Sequence, residues 1–237
     1  MKIVGISDIH GNLIDCPECD VLCIAGDIFP LDIQRMYVGS VGWMRYKFVP
    51  WVESLPCKKV VLVAGNHDFL LDSDYNDPLI DLDSPSEFNP SEFNPCEFNP
   101  YKLSEKLIYL DKKMVEIDGV TFYGDPTCTG PRGWAFYRRD EHGLFDSIPN
   151  CDVLITHQPP YGKVSTVLQE DSFNHGRNYG AKSLTDRLRQ GGIKYCLSGH
   201  IHSGLHTGEK IGECMCYNVS IKDERYVVSY NPLELEI

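Results

Sequence analysis

The run Val60-Val61-Leu62-Val63-Ala64 is apolar throughout and passes directly into Gly65-Asn66-His67-Asp68. A valine-rich run without polar alternation reads as a strand buried on both faces. Where it stops, an amide, an imidazole and a carboxylate follow with nothing between them. Open α/β folds hold their ligands outside the carboxyl ends of their strands, so this strand carries three polar heads to a ligand-binding edge. Other apolar runs end the same way. Lys2 to Ser7 leads into Asp8-Ile9-His10-Gly11-Asn12, and Val21 to Ala25 into Gly26-Asp27. Asp152 to Thr156 leads into His157-Gln158-Pro159-Pro160, and Ile193 to Leu197 into Ser198-Gly199-His200-Ile201-His202.

Between these runs the pattern is that of an α/β protein. Met36, Met44, Phe48, Trp51, Val52 and Leu55 predict helix with breaks, Pro50 starting or kinking its last turns. Strand, strand, helix, strand is the layout of a mostly parallel sheet with helices on its faces. A further strand is expected at Leu107 to Leu110. Lys113 to Ile117 and Val120 to Tyr123 flank Asp118-Gly119, a two-residue hairpin signal. A helix is expected from about Ala181 to Gln190, stopped by Gly191-Gly192. Cys214 to Val219 and Arg225 to Tyr230 are expected to close the fold as antiparallel strands. The 237 residues suit one α/β domain.

An insertion at about 72–104 interrupts the rhythm. It holds Ser86-Glu87-Phe88-Asn89-Pro90, Ser91-Glu92-Phe93-Asn94-Pro95 and Cys96-Glu97-Phe98-Asn99-Pro100 in tandem. A proline every fifth residue forbids regular helix, and Asn-Pro favours turns. The segment reads as a surface insertion grown by duplication; the sharper alternative is a lid, or an arm that docks a protein partner through residues 86–100. The net charge of −12 argues against a general nucleic-acid binder. No apolar run approaches the ~20 residues of a membrane helix. The chain enters a strand at once after Met1, with no signal-peptide pattern, so its ten cysteines are read as reduced thiols of a cytoplasmic protein. Cys16-Pro17-Glu18-Cys19 with Cys23 has no second pair at zinc-finger spacing.

The strand-end residues form a set: Asp8, His10, Asp27, Asn66, His67, His157, His200 and His202. Asp8 and His10 are two apart, as are His200 and His202, a spacing that in extended chain shares one face. Imidazole mixed with carboxylate suits manganese, iron or zinc, whereas carboxylates alone suit magnesium or calcium. The number of donors is enough for two cations if one carboxylate bridges them.

In these blocks the chain resembles the calcineurin-like metallophosphoesterases, whose pattern is Asp-x-His, Gly-Asp, Gly-Asn-His-Asp/Glu, a His, then Gly-His-x-His. The resemblance runs from Asp8 to His202. Trp51-Val52-Glu53-Ser54-Leu55-Pro56, Tyr123-Gly124-Asp125-Pro126, Gly133-Trp134-Ala135-Phe136 and Thr156-His157-Gln158-Pro159-Pro160-Tyr161-Gly162 are similar to the metallophosphoesterase-domain-containing branch, associated with phosphodiester hydrolysis including cyclic nucleotides. The resemblance implies a four-layer α/β/β/α sandwich with mixed sheets and the metal site at the carboxyl ends of strands. It implies two divalent metal ions, manganese first, with Fe, Zn, Ni or Mg as other occupants. Asp8, His10 and His202 would hold the first, Asn66, His157 and His200 the second, and Asp27 both. His67 would protonate the leaving oxygen, with Asp68 orienting it. Two such cations acidify a shared water and clamp a phosphate for in-line displacement.

Gly26-Asp27 runs into Ile28-Phe29-Pro30, and no Arg follows Asn66-His67-Asp68 closely, which departs from the protein Ser/Thr phosphatases. The expected substrate is therefore a small phosphodiester or nucleotide, with Asn12, Arg132 and Trp134 as candidate contacts. Two other functions stand beside this one. The first is a protein-interaction scaffold on the same fold, whose mark would be a broken ligand set. The second is a nuclease of the same superfamily, which the acidic balance disfavours.

Overall fold

The computed structural model describes residues 1–73 and 98–237. Its first sheet joins β1 (Lys2–Ile6), β2 (Cys19–Ala25), β3 (Cys57–Val63) and β4 (Leu107–Tyr109), all parallel. The second joins β5 (Lys113–Ile117), β6 (Val120–Asp125), β7 (Cys151–Thr156), β8 (Ile193–Ser198), β9 (Glu209–Ile211) and β10 (Cys214–Asn218) in the order β5-β6-β7-β8-β10-β9. β11 (Leu233–Glu236) closes the first sheet antiparallel to β1. Alternation along each strand, applied to both faces, explains the unbroken apolar runs. Val21, Cys23, Ala25, Val61 and Val63 meet Phe122, Val153, Ile155 and Leu197 between the sheets. Leu22, Ile24, Val60 and Leu62 face outward onto Val41, Met44, Phe48 and Val52 of the helical layer. On the far side, Leu184 and Leu188 of α3 (Lys182–Arg189) cover Leu154 and Cys196. The layers are helix, sheet, sheet, helix, both sheets being mixed.

Several expectations take a more definite form. The broken helix is α1 (Tyr37–Trp43), a π turn (Met44–Phe48) and α2 (Val49–Ser54) in series. Pro50 has no N–H to give and would press on the carbonyl four residues back; the widened π turn lies immediately before it. Asp118 and Gly119 both take positive φ, 49° and 81°, as a type I′ hairpin turn requires. The tail departs from expectation. Cys214–Asn218 pairs antiparallel with β9 but parallel with β8, and residues 225–230 form a loop instead of a strand. Asp223 Oδ1 accepts the amides of Arg225 and Val227, and Tyr226 turns to φ 63°, which ends any extended run. This side chain-to-backbone turn prevails over the expected strand.

Most of the insertion, including Phe88 and Phe93, lies outside the described residues. Its edges are packed. Phe98 and Leu103 rest against the core of the first sheet, and the buried Asp72 carboxylate accepts the amide of Phe136 at 2.6 Å. Of the cysteines, Cys19 stands opposite Cys57 in register and Cys196 opposite Cys216. Cys16, Cys19 and Cys23 do not form a group of donors: the three described groups of converging metal-ligand side chains contain no cysteine. Among the described residues no helix is long and apolar enough to cross a membrane.

Candidate metal centre

β1, β2, β3, β7 and β8 all point their carboxyl ends to one edge, and the loops leaving them meet there. Ser7 Oγ donates to the Ala25 carbonyl at 2.7 Å, and the amides of Asp8 and His10 donate to Gly26 and Asp27 at 3.0 Å. Asp8, His10, Asp27 and His200 have φ of 57°, 40°, 56° and 68°. Left-handed backbone is costly for side chains other than glycine and collects at functional sites. Asp8 and His10 therefore share a site through a left-handed turn and not through strand alternation. His200 and His202 part company: the His202 ring goes to Asp8, and the His200 ring lies edge-on to His157 at 5.1 Å.

Three overlapping groups of donor atoms lie within 4.8 Å of one another: Asp8, His10 and His202; Asp8, Asp27 and His157; His10, Asp27 and His67. His202 Nε2 is 3.4 Å from Asp8 Oδ1, and His157 Nε2 is 3.1 Å from Asp27 Oδ2 and 3.1 Å from Asn66 Oδ1. His10 and His67 each place Nε2 3.8 Å from Asp27 Oδ2. The structure thus brings together Asp8, His10, Asp27, Asn66, His67, His157 and His202. His200 joins them through its backbone, its amide donating to the Asp8 carboxylate at 3.1 Å.

The donor set fits divalent cations on its own chemistry. Both ring nitrogens of His10 are buried without a hydrogen-bond partner, a cost that a ligand would remove. His157 Nδ1 lies 2.8 Å from the Ala25 carbonyl and His202 Nδ1 2.8 Å from the Asp223 carbonyl. A ring whose Nδ1–H is held by a carbonyl offers Nε2 as the ligand, the usual second contact of a metal-binding histidine. Burial pushes His200 down to about 3 and His10 down to about 4, so both rings are neutral, as metal ligation requires. Burial opposes the charge on Asp8, but the His202 ring outweighs it and holds the carboxyl low. Asp27 behaves alike, with His157 and His67 as its main counter-charges. His157 is raised to about 9: its burial is overcome by Asp27.

Asp68 has a different place from the one expected. Its Oδ2 accepts the amides of Asp27 (2.8 Å) and Gly65 (2.7 Å), and its Oδ1 those of Ile28 (2.8 Å) and Phe29 (3.3 Å). It braces the loop that presents Asp27. Burial and the Asp27 carboxylate push Asp68 up to about 7, while the four N–H donors favour its ionised form. At His67 the partner is Gln34, whose Oε1 meets Nδ1. The spacing gave no sign of this, since Gln34 lies just before α1 in a stretch of uncertain pattern. Of the expected substrate contacts, Trp134 packs its ring on His67 at 4.5 Å. Asn12 is exposed, its side-chain amide donating to the carbonyls of Ile9 and His10. Arg132 is exposed and has no hydrogen bond or ion pair among the described residues.

Gly65 shows how tightly the centre is built. A Cβ there would stand 2.2 Å from Asp27 Oδ1 and 2.8 Å from His157 Cγ. Only glycine lets β3 end against the Asp27 side chain.

The chain is 31% identical over 208 residues to a UPF0046 protein of Caenorhabditis elegans, covering 85% of this chain and 63% of that one. It is 29% identical over 214 residues to metallophosphoesterase domain-containing protein 1 of Homo sapiens, covering 86% and 61%. It spans about three fifths of the length of these relatives. Among solved structures, phosphopantetheinyl hydrolase of Mycobacterium tuberculosis superposes with a TM-score of 0.53 at 13% identity, over 95% of this chain and 90% of that one, a likeness of fold. The profile of the calcineurin-like phosphoesterases matches residues 1–204, which include every strand end that feeds the centre, and the chain belongs to that family.

Proposed function

We propose that this protein is a metal-dependent phosphodiester hydrolase acting on a small phosphodiester or nucleotide, with two divalent cations, manganese first. The observation that carries the reading is the overlap of three donor groups on Asp8, His10 and Asp27, the third of which includes His67, its Nε2 3.8 Å from Asp27 Oδ2. Asp8, His10 and His202 would hold one cation, Asn66, His157 and His200 the other, and Asp27 both. Cations bound there supply Lewis acidity, charge neutralisation for a phosphate and an acidified water.

The chain's own residues divide the remaining work. Asp68 fixes the Asp27 loop through four amides. The Ala25 and Asp223 carbonyls fix the rings of His157 and His202. His67 donates its backbone amide to Asp27 Oδ1 at 2.8 Å, which holds its backbone beside the centre, and its ring Nδ1 meets Gln34 Oε1. When protonated, His67 gives Nδ1–H to Gln34 and keeps Nε2–H to hand to the leaving oxygen. The intact donor set argues against a scaffold that has lost its ligands. The test is metal analysis together with hydrolysis of bis-p-nitrophenyl phosphate, with and without added manganese. Turnover should depend on metal and vanish in Asp27→Asn. Folded, metal-loaded protein without activity on any phosphoester would overturn the proposal.

A further inference from the structure

Residues 225–230 were expected to be a closing strand, yet the loop at 223–230 that holds them reaches the metal centre. Asp223 gives its carbonyl to His202 Nδ1, and Ser203 donates its amide and hydroxyl to Glu224 Oε1 at 3.0 and 2.8 Å. Pinned at both points, the loop carries Tyr226 over the donors. Its ring centre is 5.1 Å from that of His10 and 4.8 Å from that of His202, edge-on to the latter at 82°. A bulky aromatic residue at φ 63° is an outlier, and such conformations persist where the surroundings impose them. Despite this packing Tyr226 remains 40% exposed, with the Lys222 ammonium 6.0 Å from its ring centre.

Trp134 occupies the corresponding place on the other side. Its ring lies 4.5 Å from that of His67, which lies 4.9 Å from that of His10. Trp134, His67, His10 and Tyr226 thus form one row of rings with an aromatic side chain at each end. The histidines between carry the donor nitrogens that face Asp27. A phosphate at Asp27 would therefore have an aromatic side chain at each end of this row: Tyr226, 40% exposed, and Trp134, half-buried with the Arg35 guanidinium 5.2 Å from its ring centre.

We propose that Tyr226 is a substrate-contacting, specificity-determining residue, which with Trp134 selects phosphoesters carrying a flat aromatic group. The proposal rests on the phosphoesterase reading only in seating the phosphate at Asp27. Tyr226 adds contact area and ring stacking to the bound ester and supplies no donor atom of its own to the groups around Asp8, His10 and Asp27. Its phenol is not needed for stacking, so phenylalanine serves in its place.

The experiment compares wild type, Tyr226→Phe and Tyr226→Ala, each loaded with manganese and with its metal content measured. Calorimetry gives the affinities for phenylphosphonate and methylphosphonate, non-hydrolysable probes that differ in the ring alone. Wild type and Tyr226→Phe should prefer phenylphosphonate. Tyr226→Ala should lose about fivefold of that affinity, in the range of one aromatic contact, with methylphosphonate binding within twofold and metal content unchanged. No preference in wild type, equal losses for both probes, or an unaffected Tyr226→Ala would each overturn the proposal. Turnover of bis-p-nitrophenyl phosphate is measured alongside. If wild type binds the aryl probe through Tyr226 but hydrolyses no ester, the phosphoesterase reading fails and the aromatic contact stands.

Discussion

Replacement of Asp68 by alanine removes one acceptor group from four buried backbone donors. The amides of Asp27, Ile28 and Gly65 make bonds of 2.7–2.8 Å to it, and that of Phe29 a longer one of 3.3 Å. Each buried donor left unpaired costs about 1–3 kcal/mol. Relief of the Asp68–Asp27 repulsion and of Asp68's own desolvation offsets part of this. With three good bonds lost, a net loss of about 3–5 kcal/mol is expected, at the upper end for single substitutions. At about 2–4 °C per kcal/mol for a domain of this size, Tm should fall by about 6–20 °C. Asp68→Asn keeps one oxygen but turns an N–H toward the other pair of amides, so about half the loss is expected. The measurement is urea unfolding with and without a chelator, plus metal content by mass spectrometry. Metal should be lost together with stability, because the Asp27 loop is what Asp68 holds. If both variants unfold within 1 kcal/mol of wild type and keep their metal, while turnover alone falls, Asp68 acts on His67 and the bracing account is wrong.

Three other expectations follow from the same geometry. His67→Ala should keep its metal and lose about 10²–10⁴ in kcat on an alkyl diester; on bis-p-nitrophenyl phosphate, whose leaving group needs little protonation, the loss should be much smaller. An equal loss on both esters would show that His67 does not serve the leaving oxygen. Gly65→Ala should destabilise by about 1–3 kcal/mol or more and release metal, because the new Cβ meets Asp27 Oδ1 and His157 Cγ; a variant with normal Tm and metal content refutes the close approach. Asp152, far along β7 from the centre, is held at about 2 by Lys194 and by the amide and hydroxyl of Thr121. Its folded pKa lies below the unfolded value of about 3.9, so its contribution is full above pH 4 and fades as pH falls toward 2. Acid unfolding curves of wild type and Asp152→Asn should therefore converge in that window, and parallel curves would refute the linkage.

The sequence alone determined the five strands that feed the centre and where they end. Val60 to Ala64 could only be buried on both faces, and five such runs ending in Asp, Asn or His could be recognised because each motif is contiguous. The hairpin at Asp118-Gly119 was equally local, since the turn depends on two adjacent residues with positive φ. What the sequence left open was every relation across distance. Asp68 is adjacent to His67 in the chain, and adjacency suggested a pair. The fold instead turns its carboxylate onto the amides of Asp27, Ile28 and Phe29, some forty residues away. Gln34 lies in a stretch with no clear pattern and Tyr226 in one that reads as a strand, and only the packing of the two sheets brings their loops to the same edge. A local pattern records what a segment can be, because backbone propensity and burial act within a few residues. Which side chains face one another is decided by how the layers close, and that depends on contacts spread over the whole chain.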